Sequence, residues 1–350
     1  RASGAHREIV ELAEKLSIPV ATSLNAKEVI PGDHPLSVGV VGLYSRKSAN
    51  RAVLEADLVF FVGSHTGSQV TFNWNVPSLK TQVIHLDINP EELGRHYPHT
   101  APLLGDAKVT LRKLIDVVDT NGASSRKEWV KQAQGFVQEW REEFRALMES
   151  DAVPMRPERL CRDLSDLLPP DTLLVSDTGH AGMWTGGMID LKKPGQGFIR
   201  AAGSLGWGFP AALGAKLARP DRPVLLFTGD GGFWYHICEL ETAVRWGIKV
   251  VVLVNNNNSL NQEIGPYTEA YGGELKGRHA ELWHFERVNL AKVAESVGAA
   301  GFRVEKAKEL PGALEKAFSA KGPAVVDVET DIMAVAPVAY PSNVPALRNA

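Results

Sequence analysis

Continuous apolar runs alternate along the chain with segments in which apolar residues recur at helical spacing. Short apolar runs of this kind are typical of strands buried on both faces of a parallel sheet. They occupy residues 57–63, 82–87, 173–176, 224–227, 250–254 and 324–328. Helical spacing occurs over residues 5–16, 158–168, 209–218, 233–246, 286–297 and 308–319. The alternation predicts an α/β fold with doubly wound parallel sheets in two domains.

The pattern changes twice along the chain. Residues 119–157 are polar, with a helical stretch in the middle and prolines at the end, which indicates a linker. Residues 335–350 contain several prolines and have no periodicity that would build a core. We predict an α/β domain over 1–118, a linker over 119–157, a second α/β domain over 158–334 and a tail over 335–350.

Composition and charge favour a small-molecule function. The chain has 350 residues, of which 44% are hydrophobic and 23% charged, and a net charge of −3 with no basic cluster. Nucleic acid and anionic membrane surfaces are therefore poor partners. No apolar stretch reaches the roughly 20 residues of a membrane helix. Cys161 and Cys238 each lie within an amphipathic pattern, which predicts two buried thiols in a cytoplasmic protein.

The stretch GDGG, residues 229–232, comes directly after the apolar run 224–227. The next predicted strand, 250–254, is followed by four asparagines, residues 255–258. Because parallel strands end at one edge of a sheet, Asp230 and Asn257 are expected at that edge, where α/β folds bind ligands. A carboxylate and an amide oxygen suit Mg²⁺, and bare glycine N–H groups at a helix start suit a diphosphate.

Each half of this pattern is weak evidence when taken alone. GDGG also occurs as an ordinary turn, and asparagine runs occur in ordinary loops. The two motifs joined by one β-α-β unit are more specific.

Together they resemble the signature of thiamine diphosphate enzymes, GDG followed by about two dozen residues and then NN. The segments AGSLGWGFPAALGA (202–215), VIPGDHPLSVG (29–39) and EADLVFFVGS (55–64) resemble acetolactate synthases and benzoylformate decarboxylase-like enzymes. The resemblance covers nearly the whole chain. It implies that 1–118 is the central domain and 158–334 the diphosphate-binding domain, with thiamine diphosphate and Mg²⁺ as cofactors.

The resemblance also implies roles for individual residues. The side chains of Asp230 and Asn257 and the carbonyl of Ser259 would bind Mg²⁺. Leu205 would bend the cofactor, and the carbonyl of Gly203 would accept a hydrogen bond from its pyrimidine ring. Gly232 stands where the family more often has Ser. The implied cofactor contacts are Gly203, Ser204, Leu205, Gly229, Asp230, Gly231, Gly232, Asn257, Ser259 and Leu260.

Three polar residues are candidates for the substrate side. Gln262 and Glu263 stand where acetolactate synthases have largely apolar pocket residues, which would favour a substrate more polar than pyruvate or a proton-carrying role for Glu263. Both would equally suit a surface helix. His180 follows a strand and is either a proton shuttle or a structural histidine at a helix start. His65 stands near the place where acetolactate synthases carry flavin-binding residues, which makes FAD binding doubtful.

The activity implied is decarboxylation of a 2-oxo acid, or carboligation with a second carbonyl compound. In the family, a glutamate on a pyrimidine-binding domain activates the cofactor, and nothing in this chain resembles that domain. The chain begins at Arg1, within a turn of the central domain. We therefore expect a companion chain or N-terminal fragment, in a dimer or tetramer of catalytic units.

Two alternatives remain open from the sequence. A cofactor-binding but inactive fragment, or a regulatory remnant, would also lack the glutamate. An NAD-dependent oxidoreductase would share the α/β pattern, but it needs G-x-G-x-x-G after a strand, and the glycines of 203–208 have a different spacing.

Overall fold

The structure is a computed structural model that describes residues 1–201 and 203–337. The described chain divides into two compact units, residues 1–144 and residues 145–337. The predicted linker spans this division, and the predicted tail lies outside the described residues from position 338 onward. The domain boundaries at 118, 157 and 334 stay predictions.

The first unit contains parallel strands flanked by helices. Its strands are β1 (Val20–Thr22), β2 (Ser37–Val40), β3 (Leu58–Val62), β4 (Gln82–Asp87) and β5 (Thr100–Leu104). Its helices are α1 (His6–Leu16), α2 (Lys47–Glu55), α3 (Ala107–Val117) and α4 (Lys127–Met148). Strands β3, β4 and β5 form one sheet, in that order, and β1 pairs with β2.

Two apolar clusters hold the first unit together. Helices α1 and α3 meet the three-stranded sheet through Leu12, Leu111 and Leu86. Helix α4 contributes Phe136 to a second cluster, which also contains Ala49 of α2. The helix in the predicted linker thus has its buried side chains in the core of the first unit.

The second unit carries one larger sheet. Its strands are β6 (Leu173–Ser176), β7 (Gly197–Arg200), β8 (Val224–Gly229), β9 (Val251–Asn256), β10 (Ala300–Val304) and β11 (Ala324–Glu329). Its helices are α5 (Pro157–Leu167), α6 (His180–Gly187), α7 (Gly208–Ala218), α8 (Asp230–Tyr235), α9 (Glu239–Arg245), α10 (Ile264–Ala270), α11 (Leu290–Ser296) and α12 (Leu310–Ser319). All strand pairs are parallel, in the order β10-β11-β9-β8-β6-β7.

The strand order of this sheet locates a ligand-binding crevice. From β6 the chain moves outward to β7 and then returns to the other side of β6 to form β8. In open α/β sheets, such a reversal leaves a crevice at the carboxyl ends of the two strands between which it occurs. The residues just past Ser176 and Gly229 are therefore placed to contact a ligand. The predicted fold class is confirmed.

The sequence pattern did not predict strands β2, β5, β7 and β10, and three further details differ from the structure. The single helix predicted over 233–246 is wrong: α8 ends at Tyr235, and α9 begins at Glu239. The backbone of His236 (φ −135°, ψ 25°) is not helical. Because Cys238 lies in this break, it is exposed rather than buried, whereas Cys161 is buried as predicted. Helix α11 starts later than the pattern indicates, at Leu290, because the side chain of Asn289 caps it by accepting from the Lys292 N–H.

None of the helices formed by residues 1–201 and 203–337 combines the length and the apolar character that a membrane span needs.

Candidate active site

Asp177 joins three segments at the carboxyl ends of β6 and β8. It is 1% exposed and directly follows β6. Its Oδ1 accepts from the N–H of Thr178 at 2.7 Å and of Gly206 at 3.0 Å, and its Oδ2 accepts from Thr228 Oγ1 at 3.1 Å. Burial raises the pKa of Asp177, and these hydrogen bonds oppose the rise. The carboxylate thereby fixes the loop before α7 against the end of β8.

Gly232 has no room for a side chain. An ideal Cβ there would lie 2.7 Å from Asp177 Oδ2 and 2.9 Å from Thr228 Oγ1. The position of Asp177 therefore favours glycine at position 232, which was noted as a departure from the family pattern. Asp177 was missed in the sequence analysis, although its position after a buried strand of the same sheet was the available signal.

Asp230 is the second buried acid at this edge. It is 2% exposed and is the first residue of α8, immediately after β8. Its Oδ2 has no hydrogen-bond partner in the described part of the chain. Burial raises the pKa of Asp230 to about 7, while nearby backbone N–H groups, including that of Ser259, oppose the rise. A buried carboxylate oxygen without a partner is costly for the folded protein unless a ligand or metal uses it.

Asn257 and Ser259 follow the adjacent strand β9, as predicted. Gly229 of β8 pairs in register with Asn255 of β9, so the two strand ends lie side by side. Asn257 is buried, and its Oδ1 accepts from the N–H and the hydroxyl of Ser259, at 3.1 and 3.0 Å. The amide oxygen is thus oriented toward the turn that contains Ser259.

Two backbone hydrogen bonds hold the segment after β9 in place. The N–H of Leu260 donates to the carbonyl of Trp283 at 2.7 Å. The N–H of Phe285 donates to the carbonyl of Asn258 at 2.8 Å. The side chain of Leu260 lies over Gly231, where an added Cβ would overlap its Cδ2. Leu260 and the GDGG segment are therefore in contact.

The segment predicted to contact the reactive part of the cofactor lies between β7 and α7. Gly203 and Ser204 are exposed and Leu205 is half-buried. Gly203 has a positive φ of 81°, and its N–H donates to Thr178 Oγ1 at 3.2 Å. An exposed backbone with one partly buried apolar side chain is suited to contact a ligand, and the roles predicted for these residues stay predictions.

His180 and Gln262 are brought together from distant parts of the chain. His180 begins α6, and its Nδ1 lies 2.7 Å from Oδ1 of Asn261. The side chain of Gln262 lies next to Gly179, which precedes His180. Its Oε1 is 2.9 Å from the ideal position of a Cβ atom on that glycine. Glu263, half-buried, ends the same 3-10 helix, Asn261–Glu263. Sequence reasoning missed Asn261, whose only signal was its place just beyond the asparagine run.

A cavity of about 490 Å³ opens at the carboxyl ends of β9 and β11. Asn257 and Asn258 line it together with His284 and Thr330. Among residues 1–201 and 203–337, no group of three or more His, Cys, Asp or Glu side chains is arranged to hold a metal. A cation at Asp230 would therefore depend on amide and backbone oxygens, which are ligands that Mg²⁺ accepts.

Comparison with known sequences identifies both units. The family model of the thiamine pyrophosphate enzyme central domain matches residues 1–114, and that of the C-terminal TPP binding domain matches residues 177–328.

Relatives are similar over almost the whole chain. A probable acetolactate synthase large subunit of Methanocaldococcus jannaschii is 32% identical over 97% of this chain. The acetolactate synthase large subunit of Haemophilus influenzae is 29% identical, and the putative thiamine pyrophosphate-containing protein YdaP of Bacillus subtilis 30%, each over 93% of this chain. The chain spans only 58%, 56% and 54% of the lengths of these three relatives.

The resemblance inferred from GDGG and the asparagine run is confirmed by these matches. The chain belongs to the thiamine pyrophosphate enzymes, and it contains their central domain and their C-terminal TPP binding domain.

Proposed function

We propose that the second unit binds thiamine diphosphate together with Mg²⁺ at the carboxyl ends of β6, β8 and β9. The observation that carries this proposal is the buried, unpartnered oxygen of Asp230 at the start of α8. A divalent cation would give that oxygen a partner and favour the charged form of the carboxyl group. The match to a TPP binding domain supports the choice of cofactor.

The metal and the diphosphate would be held by neighbouring residues. Asp230, the amide oxygen of Asn257 and the carbonyl of Ser259 would hold the cation. The N–H groups of Gly231 and Gly232 lie in the first turn of α8, and backbone N–H groups at a helix start favour a diphosphate. Gly229, Ser204 and Leu260 would complete the cofactor contacts.

The reaction we propose is decarboxylation of a 2-oxo acid, carboligation, or both. The cofactor supplies the electron sink for this chemistry. Leu205 and Gly203 would orient it, and Gln262 and Glu263 would present polar groups to the substrate. The acetolactate synthase names of several relatives support the class of reaction.

The catalytic unit needs a further part in this proposal. A pyrimidine-binding domain, on another chain or another segment, would supply the glutamate that activates the cofactor, within a dimer or larger oligomer. The fraction of the relatives' length that the chain spans, a little more than half, is consistent with this arrangement.

Calorimetry of the purified protein, with any polypeptide that accompanies it, tests the cofactor site. We expect thiamine diphosphate to bind in Mg²⁺ and to bind much more weakly in EDTA. Asp230→Asn should lower the affinity in Mg²⁺ on the order of 100-fold, or about 3 kcal/mol. Asp221→Asn, which changes an exposed acid before β8, is the control and should bind normally. Equal affinity of the Asp230 variant and the wild type would remove the metal assignment.

A further inference from the structure

The amide of Asn261 is fixed in orientation by the chain that follows β11. Its Nδ2 donates to the carbonyl of Ile332 at 3.1 Å and to that of Ala334 at 2.9 Å. Carbonyl oxygens only accept hydrogen bonds, so the nitrogen of the amide must be the atom that faces them. The oxygen of the amide is consequently the atom that faces His180.

This orientation determines which nitrogen of His180 carries hydrogen. The Nδ1···Oδ1 distance is 2.7 Å, and the amide oxygen can only accept, so Nδ1 must donate. A neutral imidazole has one N–H, which leaves Nε2 with a free lone pair. Among the residues that the structure describes, only Asn261 hydrogen-bonds to this ring.

The surroundings of His180 favour the neutral ring. Burial lowers the pKa of His180, and the hydrogen bond with Asn261 opposes this effect. Charged side chains on neighbouring elements include Arg200, which reaches Thr178 Oγ1 and packs against Gly182, and Glu263. The acids Asp177 and Asp331 lie at the end of β6 and beside Ile332. None of these groups contributes to the shift in the pKa of His180.

His180 is also tied to the proposed cofactor segment. Thr178, two residues before it, accepts from the N–H of Gly203. Gly179 has backbone angles of φ 65° and ψ −144°, a conformation essentially restricted to glycine, and this turn leads directly into α6. The imidazole is therefore positioned from two sides, by the strand end at Asp177 and by the 3-10 helix Asn261–Glu263.

We propose that Asn261 is a positioning residue that holds His180 in the Nδ1-protonated tautomer, so that Nε2 acts as a proton acceptor beside the cofactor segment. This inference rests on the proposed function for the identity of the reaction. A serine protease triad works in the same way: a fixed hydrogen bond to one nitrogen of the histidine ring makes the other ring nitrogen the base.

The proposed transfer moves one proton from an oxygen of the substrate to Nε2 and back. When a hydroxyl group formed from the substrate carbonyl gives up its proton, the O–H bond breaks and its electron pair stays on the oxygen. An N–H bond forms at Nε2, which produces an imidazolium ring. Nδ1–H continues to donate to Asn261, whose amide oxygen stabilises the added positive charge. Return of the proton from Nε2 to the substrate restores the neutral ring.

Nitrogen NMR of protein labelled with ¹⁵N-histidine tests the tautomer without any substrate. The chain has ten histidines, and the His180 signal is assigned by its loss in His180→Gln. At pH 8 we expect Nδ1 to carry hydrogen and Nε2 to be bare. A ring protonated at Nε2 in the wild type would overturn the proposal, and the tautomer is read in the wild-type protein, with His180→Gln used only to assign the signal.

Asn261→Leu tests the role of the amide. Both tautomers should become populated, and kcat should fall about 10- to 100-fold with KM within about twofold of the wild type. Gln262→Leu, the same kind of change on the next residue, should leave the tautomer as it is. An unchanged tautomer in Asn261→Leu would contradict the positioning role. If the protein does not bind thiamine diphosphate, the proposed function fails and the tautomer result still stands.

Discussion

Two buried acids lie at the ends of neighbouring strands, and they differ in how well they are satisfied. Asp177, after β6, accepts hydrogen bonds from Thr178, Gly206 and Thr228. Asp230, after β8, leaves one carboxylate oxygen without a partner in the described structure. A satisfied buried carboxylate stabilises the fold, whereas an unsatisfied one lowers stability and is available to a ligand. The first acid therefore builds the site and the second is placed to bind.

Asp177→Ala should have the largest effect on stability. It removes the acceptor for two backbone N–H groups and one hydroxyl, and unsatisfied buried donors are costly. We expect the free energy of unfolding to fall by about 4 kcal/mol in chemical denaturation. The exposed-site control Asp221→Ala should change it by less than about 0.5 kcal/mol. A loss at position 177 no larger than that of the control would mean that Asp177 does not hold the site together.

Asp230→Asn should have the opposite effect in metal-free protein. The pKa of Asp230 rises from its ordinary 3.8 in the unfolded chain to about 7 in the folded state. The folded state thus binds more protons between these values, and wild-type stability falls as the pH rises from about 4 to about 7. The variant lacks this loss, so at pH 8 in EDTA it should be more stable by a few kcal/mol.

The pH dependence provides the check on this second prediction. The difference in unfolding free energy between Asp230→Asn and the wild type should shrink toward zero as the pH falls to about 4. A difference that is the same at pH 4 and pH 8 would show that the charge of Asp230 is not its source.

The two glycines that follow Asp230 give the smallest contrast. A methyl group on Gly232 would press on the hydrogen-bonded Asp177 and Thr228, whereas one on Gly231 would press on the end of the flexible Leu260 side chain. We expect Gly232→Ala to cost about 2 kcal/mol and Gly231→Ala about 1 kcal/mol. Thermal unfolding of both variants measures the difference. Equal costs would mean that the Asp177 side of the turn is no more rigid than the Leu260 side.

Local patterns predicted the parts of the site that depend on single strands. The apolar runs of β8 and β9 located the strand ends, and parallel pairing then placed Asp230 and Asn257 at one edge. These inferences needed only the periodicity of each run and the direction of the strands.

The residues that sequence reasoning missed depend on contacts between distant segments. Asp177 acts through Gly206 and Thr228, and Asn261 through Ile332 and Ala334. The spacing of apolar residues within one segment carries no information about such contacts. The break in the predicted helix 233–246 has a similar origin: Tyr235 and His236 pack against Gly206, where a Cβ would lie 2.6 Å from that of Tyr235.

The hydrogen bonds that join Asn258 and Leu260 to Trp283 and Phe285 have a practical consequence for protein engineering. They close the segment between them into a loop whose two ends are clamped together. The three glycines at 272, 273 and 277 in this loop have positive φ angles and no atoms near their missing side chains in the described structure. A reporter peptide or a small folded domain inserted there would leave the clamp intact, and with it the positions of Asn257 and Ser259. The loop is therefore a suitable insertion point for a sensor domain that detects ligand binding at the neighbouring site.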